Sequence, residues 1–362
     1  MTQGSLGSGV DRFVGCLMAG AAGDALGAPV EFDSLAGIRS RLGEVGVTGF
    51  LPAYGRVGAV TDDTQMTLFT AEGLLRAEQR YRDRGLVNVD AVVLRAYQRW
   101  LCTQVGPDRV PWDPEMGDGS TSGWLIAQEF LHSRRAPGNT CLSALGAGGW
   151  GGVDRPLNDS KGCGGVMRAA PAGLVGADPF DLGCRLAALT HGHPSGFVAA
   201  GALAVMVSEV VRGRSLAAAV AAGRDAAAGH PGGSEVVEAI DAAVDLAGGG
   251  VPAGPEAVES LGAGWVAEEA LAIAVYCALA AEAAGGDIVR RGVLMAVNHS
   301  GDSDSTGSIA GNLLGAVLGV GAVPAEWLDE LEGAAVIRQV ACDLHEAFVA
   351  GGPIDISRYP TW

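Results

Sequence analysis

The sequence predicts an all-α fold, on three observations. Apolar residues make up 48% of the 362 positions and recur at helical spacing. Alternating β-branched runs are almost absent. Stretches rich in Gly, Pro and Asp, at 43–60, 105–121, 147–172 and 247–256, separate the apolar segments. No repeat of fixed period interrupts this pattern, which excludes a solenoid. The segments on either side of 247–256 are equally apolar, so the chain reads as one large domain over 1–362, behind a short disordered N-terminus of about residues 1–9.

Helices are expected, in order, at 11–28, 64–84, 88–104, 122–133, 139–146, 179–190, 195–213, 215–228, 234–246, 266–284, 287–297, 306–320 and 325–349. The first carries small residues at every fourth position: Gly15, Ala19, Gly23 and Gly27. The helix from 306 does the same with Gly307, Gly311, Gly315 and Gly319. Residues four apart share one face. An interior glycine costs about 1 kcal/mol relative to alanine, so each ridge predicts a close approach between helices. The apolar run at 270–281 is shorter than the ~20 residues a bilayer span needs, so a packed helical core is expected and no membrane association.

Composition narrows the function. With 24 basic and 41 acidic residues the net charge is −17, and Lys161 is the only lysine. Binding to a nucleic-acid backbone is not expected of such a chain. The seven cysteines (16, 102, 141, 163, 184, 277 and 342) are widely spaced and form no CxxC pair. That fits a reducing compartment rather than a disulfide framework or a thiolate zinc site. The first residues, MTQGSLGSGVDRF, lack the basic and apolar regions of a secretory signal, so a cytoplasmic location is expected.

The chemistry concentrates in two acidic clusters. Thr61-Asp62-Asp63-Thr64 precedes one apolar helix, and Asp302-Ser303-Asp304-Ser305-Thr306 precedes the second glycine-ridged helix. Capping explains one acid at a helix start, but not two acids twice over. Carboxylates gathered together repel unless a cation lies between them. Carboxylates and hydroxyls are hard oxygen donors, which suit Mg²⁺, Mn²⁺ or Ca²⁺. An EF-hand fails because its twelfth position would be Leu313. A DxDxT phosphatase fails for want of a preceding buried strand. The loop Asn158 to Arg168 is glycine-rich and suited to an anion, and His191 and His193 form a pair just before Pro194. Neither a P-loop, a Rossmann fingerprint nor a GxSxG elbow is present.

Five blocks, in order along nearly the whole chain, resemble the ADP-ribosylglycohydrolases, of the ADP-ribosylarginine hydrolase and dinitrogenase-reductase-activating type. They are GCLMAGAAGDALGAPVEF at 15–32, TDDTQMTLFTAEGLL at 61–75, GCGGVMRAAP at 162–171, LTHGHPSG at 189–196 and NHSGDSDSTGSIAGNLLGAVLG at 298–319. The resemblance implies an orthogonal helical bundle with a dinuclear cleft holding two Mg²⁺, or Mn²⁺. It implies metal ligation by Thr61, Asp62 and Asp63 from one side and by Asp302, Asp304 and Ser305 from the other. It places Glu31 beside the metals and makes Glu31, Asp62, Asp63 and Asp304 the catalytic candidates. Asn158, Asp159, Ser160, Lys161, Gly162, Cys163 and Gly164 would wrap the diphosphate of ADP-ribose, and His191 would contact ribose or phosphate. Cys163 stands where some relatives carry Asn.

The implied activity is hydrolysis of the bond between ADP-ribose and a modified protein side chain, arginine first, with Glu115 or Asp118 as the acid that grips a guanidinium. The implied partner is an ADP-ribosylated protein or an ADP-ribose small molecule. Two alternatives stand beside it: a non-catalytic ADP-ribose binder, and a hydrolase of another derivative such as serine-linked or O-acetyl-ADP-ribose.

Overall fold

A computed structural model describes residues 9–112, 121–250 and 253–361. Helices dominate. The described residues hold a single two-stranded ladder, β1 (Pro52–Ala53) against β2 (Arg56–Val57). The described helices are α1 (Gly9–Gly27), α2 (Leu35–Leu42), α3 (Asp62–Arg84), α4 (Val89–Val105), α5 (Asn139–Gly146), α6 (Ala170–Val175), α7 (Pro179–Ala188) and α8 (Pro194–Val211). They continue as α9 (Leu216–Ala228), α10 (Ser234–Gly248), α11 (Pro255–Glu259), α12 (Ala267–Ala284), α13 (Ile288–Val297), α14 (Ser303–Leu318), α15 (Ala325–Glu330) and α16 (Ala334–His345).

The glycine ridges meet. Helix α1 packs along α14 in the most extensive helix pairing among the described residues. A Cβ placed at Gly23 would lie 2.0 Å from the Gly307 carbonyl oxygen, and one at Gly315 would lie 2.0 Å from that of Gly15. Backbone therefore lies directly on backbone, and only glycine fits. The contact runs to the helix ends: a Cβ at Gly27 would sit 2.3 Å from the Asp304 amide nitrogen. The end of α1, and with it Glu31, is thus pressed against the start of α14.

Helix α3 joins α4 through a buried charge cluster. Glu72 pairs with Arg76 at 2.8 Å and with Arg99 of α4 at 2.8 Å, and all three side chains are fully buried. Taken out of water together, they hold the two helices in one relative position, since an unpaired member would carry several kcal/mol of penalty. Helix α8 is long and apolar enough to cross a membrane, but it packs between α6, α7 and α9 as a core helix.

Several boundaries differ from expectation. The helix expected at 122–133 is two short 3₁₀ turns, Leu125–Ala127 and Glu129–His132. Leu125, Ile126 and Leu131 are buried there, so apolar spacing mimics a helix while the backbone turns toward the C-terminal segment, where Trp124 donates to the Arg358 carbonyl at 3.1 Å. The helix expected at 325–349 is broken after Glu330, with Gly333 at φ +69° opening α16, and it ends in a π-helical turn at Glu346–Ala350. Helices α2, α6 and α11 arise where none was expected, α6 overlapping the end of the loop expected at 147–172. Helix α1 begins at Gly9, inside the N-terminal arm expected to be disordered; residues 1–8 lie outside the described residues.

Candidate active site

The two acidic clusters converge. Asp62 and Asp63 open α3, Asp302 caps α14 and Asp304 lies in its first turn. All four, with Glu31 and Ser305, line one cleft of about 420 Å³. Carboxylate oxygens of Glu31, Asp302 and Asp304 lie within 4.8 Å of one another. Segments separated by some 240 positions meet because α1 serves both. Its glycine face carries α14, and its buried Asp24 carries α3.

Asp24 accepts from the Thr61 amide at 3.0 Å and the Thr61 hydroxyl at 2.8 Å, and from the amide and hydroxyl of Thr64. Thr61 caps α3, with its side chain accepting from the Asp63 amide. The residue before it is held as well: the Val60 amide donates to Glu332 at 3.2 Å, and the Val60 carbonyl accepts from Arg135 at 2.8 Å. Helix α3 therefore begins at Asp62, two residues earlier than expected, and α14 at Ser303 rather than 306. Asp62, Asp63 and Asp304 lie within the first helical turns, and Asp302 holds the cap position just ahead of α14.

The cleft is electrostatically unsatisfied. Among the described residues its lining contains five carboxyl groups and neither Lys nor Arg. Burial, then the neighbouring carboxylates, push Glu31 up to about 10, and burial with Asp304 pushes Asp24 up to about 7. Asp62, Asp63 and Asp304 are driven well above the usual carboxylate range by the same two causes, and Asp302 is raised chiefly by burial. Glu31 Oε2 and Asp63 Oδ1 are buried without a hydrogen-bond partner. Such a site takes up protons or a cation. An all-oxygen set with two unpartnered carboxylate oxygens fits a hard divalent ion.

Of the other sequence-derived candidates, Gly162, Cys163, Gly164 and His191 line the cleft. Cys163 donates its thiol to Asp302 at 2.7 Å. Thr61 lies beneath the lining, fully buried. Asn158 braces the loop: its amide donates to the Thr190 carbonyl at 2.8 Å, and its oxygen accepts from Ser160 and Gly192. Asp159 is exposed. Ser160 bonds Thr140, and Lys161 pairs with Glu235 and Glu268, so neither side chain belongs to the lining. His193 caps α8 through the Ser195 amide. Glu115 and Asp118 lie outside the described residues.

Sequence reasoning missed three features. Asp24 was visible as the lone acid inside an otherwise small and apolar helix stretch. Phe32 and Trp265 stack at the cleft, ring centroids 5.9 Å apart, although 73% and 42% exposed. The segment 136–141 forms one wall, with Ala136 at φ +47° and the Gly138 amide donating to Asp62 at 3.2 Å.

This is a helical protein with a carboxylate-lined cleft of the kind that can hold a metal ion. Residues 7–353 match the family model of the ADP-ribosylglycohydrolases, and the chain belongs to that family of hydrolases. It is 28% identical over 353 residues to an uncharacterized protein of Archaeoglobus fulgidus, covering 93% of this chain and 96% of that one. It is 25% identical over 328 residues to the ADP-ribosyl-[dinitrogen reductase] glycohydrolase of Rhodospirillum rubrum, covering 89% and 90% of the two chains. A solved ADP-ribosylglycohydrolase-related protein complex superposes with a TM-score of 0.58 at 26% identity, over 93% of this chain and 98% of its own.

Proposed function

We propose that the chain is a divalent-cation-dependent hydrolase that cleaves the glycosidic bond joining ADP-ribose to a modified arginine side chain. The carrying observation is the meeting of Glu31, Asp302 and Asp304 within 4.8 Å, in a cleft shared with Asp62 and Asp63 and free of Lys and Arg. The relative from Rhodospirillum rubrum, named for removing ADP-ribose from a protein, supports the substrate class.

Asp62, Asp63, Asp302 and Asp304 would hold Mg²⁺ or Mn²⁺, two ions by the resemblance, with the hydroxyls of Thr61 and Ser305. Thr61 gives its proton to Asp24 and accepts from the Asp63 amide, which leaves one oxygen lone pair for a cation. A bound divalent cation supplies a lowered water pKa and charge stabilisation at the sugar oxygens. The chain does the rest. Gly162, Cys163 and Gly164 line the cleft where the diphosphate would lie, and the Phe32–Trp265 pair offers a stacking face to a base. Glu31 positions the ribose at the edge of the carboxylate cluster. One of Asp62, Asp63 and Asp304 takes the proton of the attacking water. Water adds at the anomeric carbon through an oxocarbenium-like transition state, the carbon–nitrogen bond breaks with its electron pair going to nitrogen, and the proton the carboxylate took from water is passed to the departing guanidine.

The test is release of ADP-ribose from an ADP-ribosyl-arginine protein with Mg²⁺, compared with chelator and with Asp302→Asn. Loss of turnover in both supports the proposal, and unchanged turnover in either overturns the metal mechanism. Faster release from a serine-linked substrate or O-acetyl-ADP-ribose overturns the arginine assignment.

A further inference from the structure

Arg168 is an anomaly. Its guanidinium is fully buried, yet no ion pair joins it to a carboxylate among the described residues. It lies 4.3 Å over the Tyr97 ring, reaches Cys141 Sγ at 3.3 Å, and donates to Thr190 Oγ1 at 2.7 Å. Burying an arginine this way is costly, so the contact with Thr190 invites a functional reason.

Thr190 Oγ1 stands 2.8 Å from His191 Nδ1. Guanidinium can only donate, so Arg168 occupies a lone pair of the threonine oxygen. The threonine proton then has three neighbours: His191 Nδ1 at 2.8 Å, the Ala187 carbonyl at 3.4 Å, and the sulfur of Cys141, a weak acceptor that Arg168 already engages. The first is a normal hydrogen bond and the second is long. With the proton on Thr190 directed to Nδ1, that nitrogen is an acceptor, and the neutral ring carries its proton on Nε2. Imidazolium is disfavoured here, because burial and then Arg168 push His191 down to about 3.

The Nε2 edge faces the cleft. It has no hydrogen-bond partner among the described residues, and His191 is part of the lining. A Cβ at Gly164 would lie 3.0 Å from Cε1 and 3.2 Å from Nε2, so glycine there keeps that edge open, while one at Gly162 would sit in ordinary contact at 3.5 Å.

We propose that Arg168 and Thr190 are positioning residues that fix His191 as the Nε2–H tautomer, presenting a hydrogen-bond donor to an acceptor oxygen of the bound substrate. The donor suits a phosphate or ribose oxygen, which rests on the functional reading above; the relay itself does not depend on that reading. It explains why Thr190 precedes His191: valine would fill the same space and leave the tautomer unset.

The experiment uses the full chain labelled with ¹⁵N-histidine in Mg²⁺ buffer, read by long-range ¹H–¹⁵N correlation. The six histidines are few enough for His191 to be assigned with His191→Gln. The wild type is expected to show a single neutral Nε2–H tautomer across roughly pH 5 to 8, the range in which an unperturbed histidine titrates. T190V is expected to show a tautomer mixture and about tenfold weaker ADP-ribose binding by calorimetry; T190S, which keeps the hydroxyl, restores the single tautomer. A wild-type Nδ1–H tautomer, or an Nε2–H state unchanged in T190V, overturns the relay. If T190V does not fold, the wild-type and T190S spectra decide by the same criterion. A protein with the expected tautomer that takes up no ADP-ribose supports the relay and refutes the substrate reading alone.

Discussion

The Asp24 carboxylate accepts both the amide and the hydroxyl of Thr61, at 3.0 and 2.8 Å, and so sets the first turn of the helix that carries Asp62 and Asp63. One buried acid on α1 fixes the direction of two others in the cleft. Asp24→Ala leaves the donors of Thr61 and Thr64 unpaired, and each buried unpaired group costs about 1–3 kcal/mol. Denaturant unfolding is expected to show a loss at least that large. Calorimetry is expected to show weaker Mg²⁺ binding, because α3 no longer starts in place. Wild-type Mg²⁺ affinity in a folded Asp24→Ala protein would show that Asp24 does not organise the site.

The glycine contact between α1 and α14 predicts a position-specific penalty. In Gly23→Ala the new methyl would meet the Gly307 carbonyl at 2.0 Å, and overpacking of this kind costs about 1–3 kcal/mol or more. Gly49→Ala, with nothing within 4 Å of the added methyl, is the control and is expected to match the wild type in thermal melting.

Much of this was legible in the sequence. The ridges Gly15–Gly27 and Gly307–Gly319 announced a close helix approach, though not that each is the other's partner, and the doubled acids announced the cleft. Local spacing could not show where backbones bend. The 122–133 segment has helical apolar spacing but is shaped by its contact with Arg358. Asp24, Phe32 and Trp265 acquire their roles only when segments distant in sequence meet. Asn158 and Lys161, which the resemblance places at the diphosphate, bond in this structure to Thr190, Glu235 and Glu268.

The crowded carboxyls make metal-free stability fall as pH rises. Asp24 holds its proton in the folded state up to about 7, against an ordinary value of 3.8. Its contribution is therefore complete below about pH 4 and is lost as pH climbs through 7. Glu31, Asp62, Asp63, Asp302 and Asp304 act in the same direction, extending the loss upward. The depressed imidazoles of His191 and His299 act oppositely, two groups against six. Thermal melts in chelator are expected to show a higher midpoint near pH 5 than near pH 8, and saturating Mg²⁺ is expected to flatten the difference. A chelated protein more stable at the higher pH would contradict this.

Trp265 is expected to act in binding rather than in chemistry. Stacking of a base on an aromatic ring is worth about 1–3 kcal/mol, so Trp265→Ala should raise KM for an ADP-ribosylated substrate roughly tenfold while kcat changes little. A fall in kcat at unchanged KM would remove Trp265 from the binding role.

The most direct test is a crystal grown with Mn²⁺ and ADP-ribose, measured at a wavelength where manganese scatters anomalously. The account predicts anomalous density among the carboxylates of Asp62, Asp63, Asp302 and Asp304, with the ribose beside it and Glu31 at its edge. A cleft that binds ADP-ribose with no anomalous density at these carboxylates would contradict it.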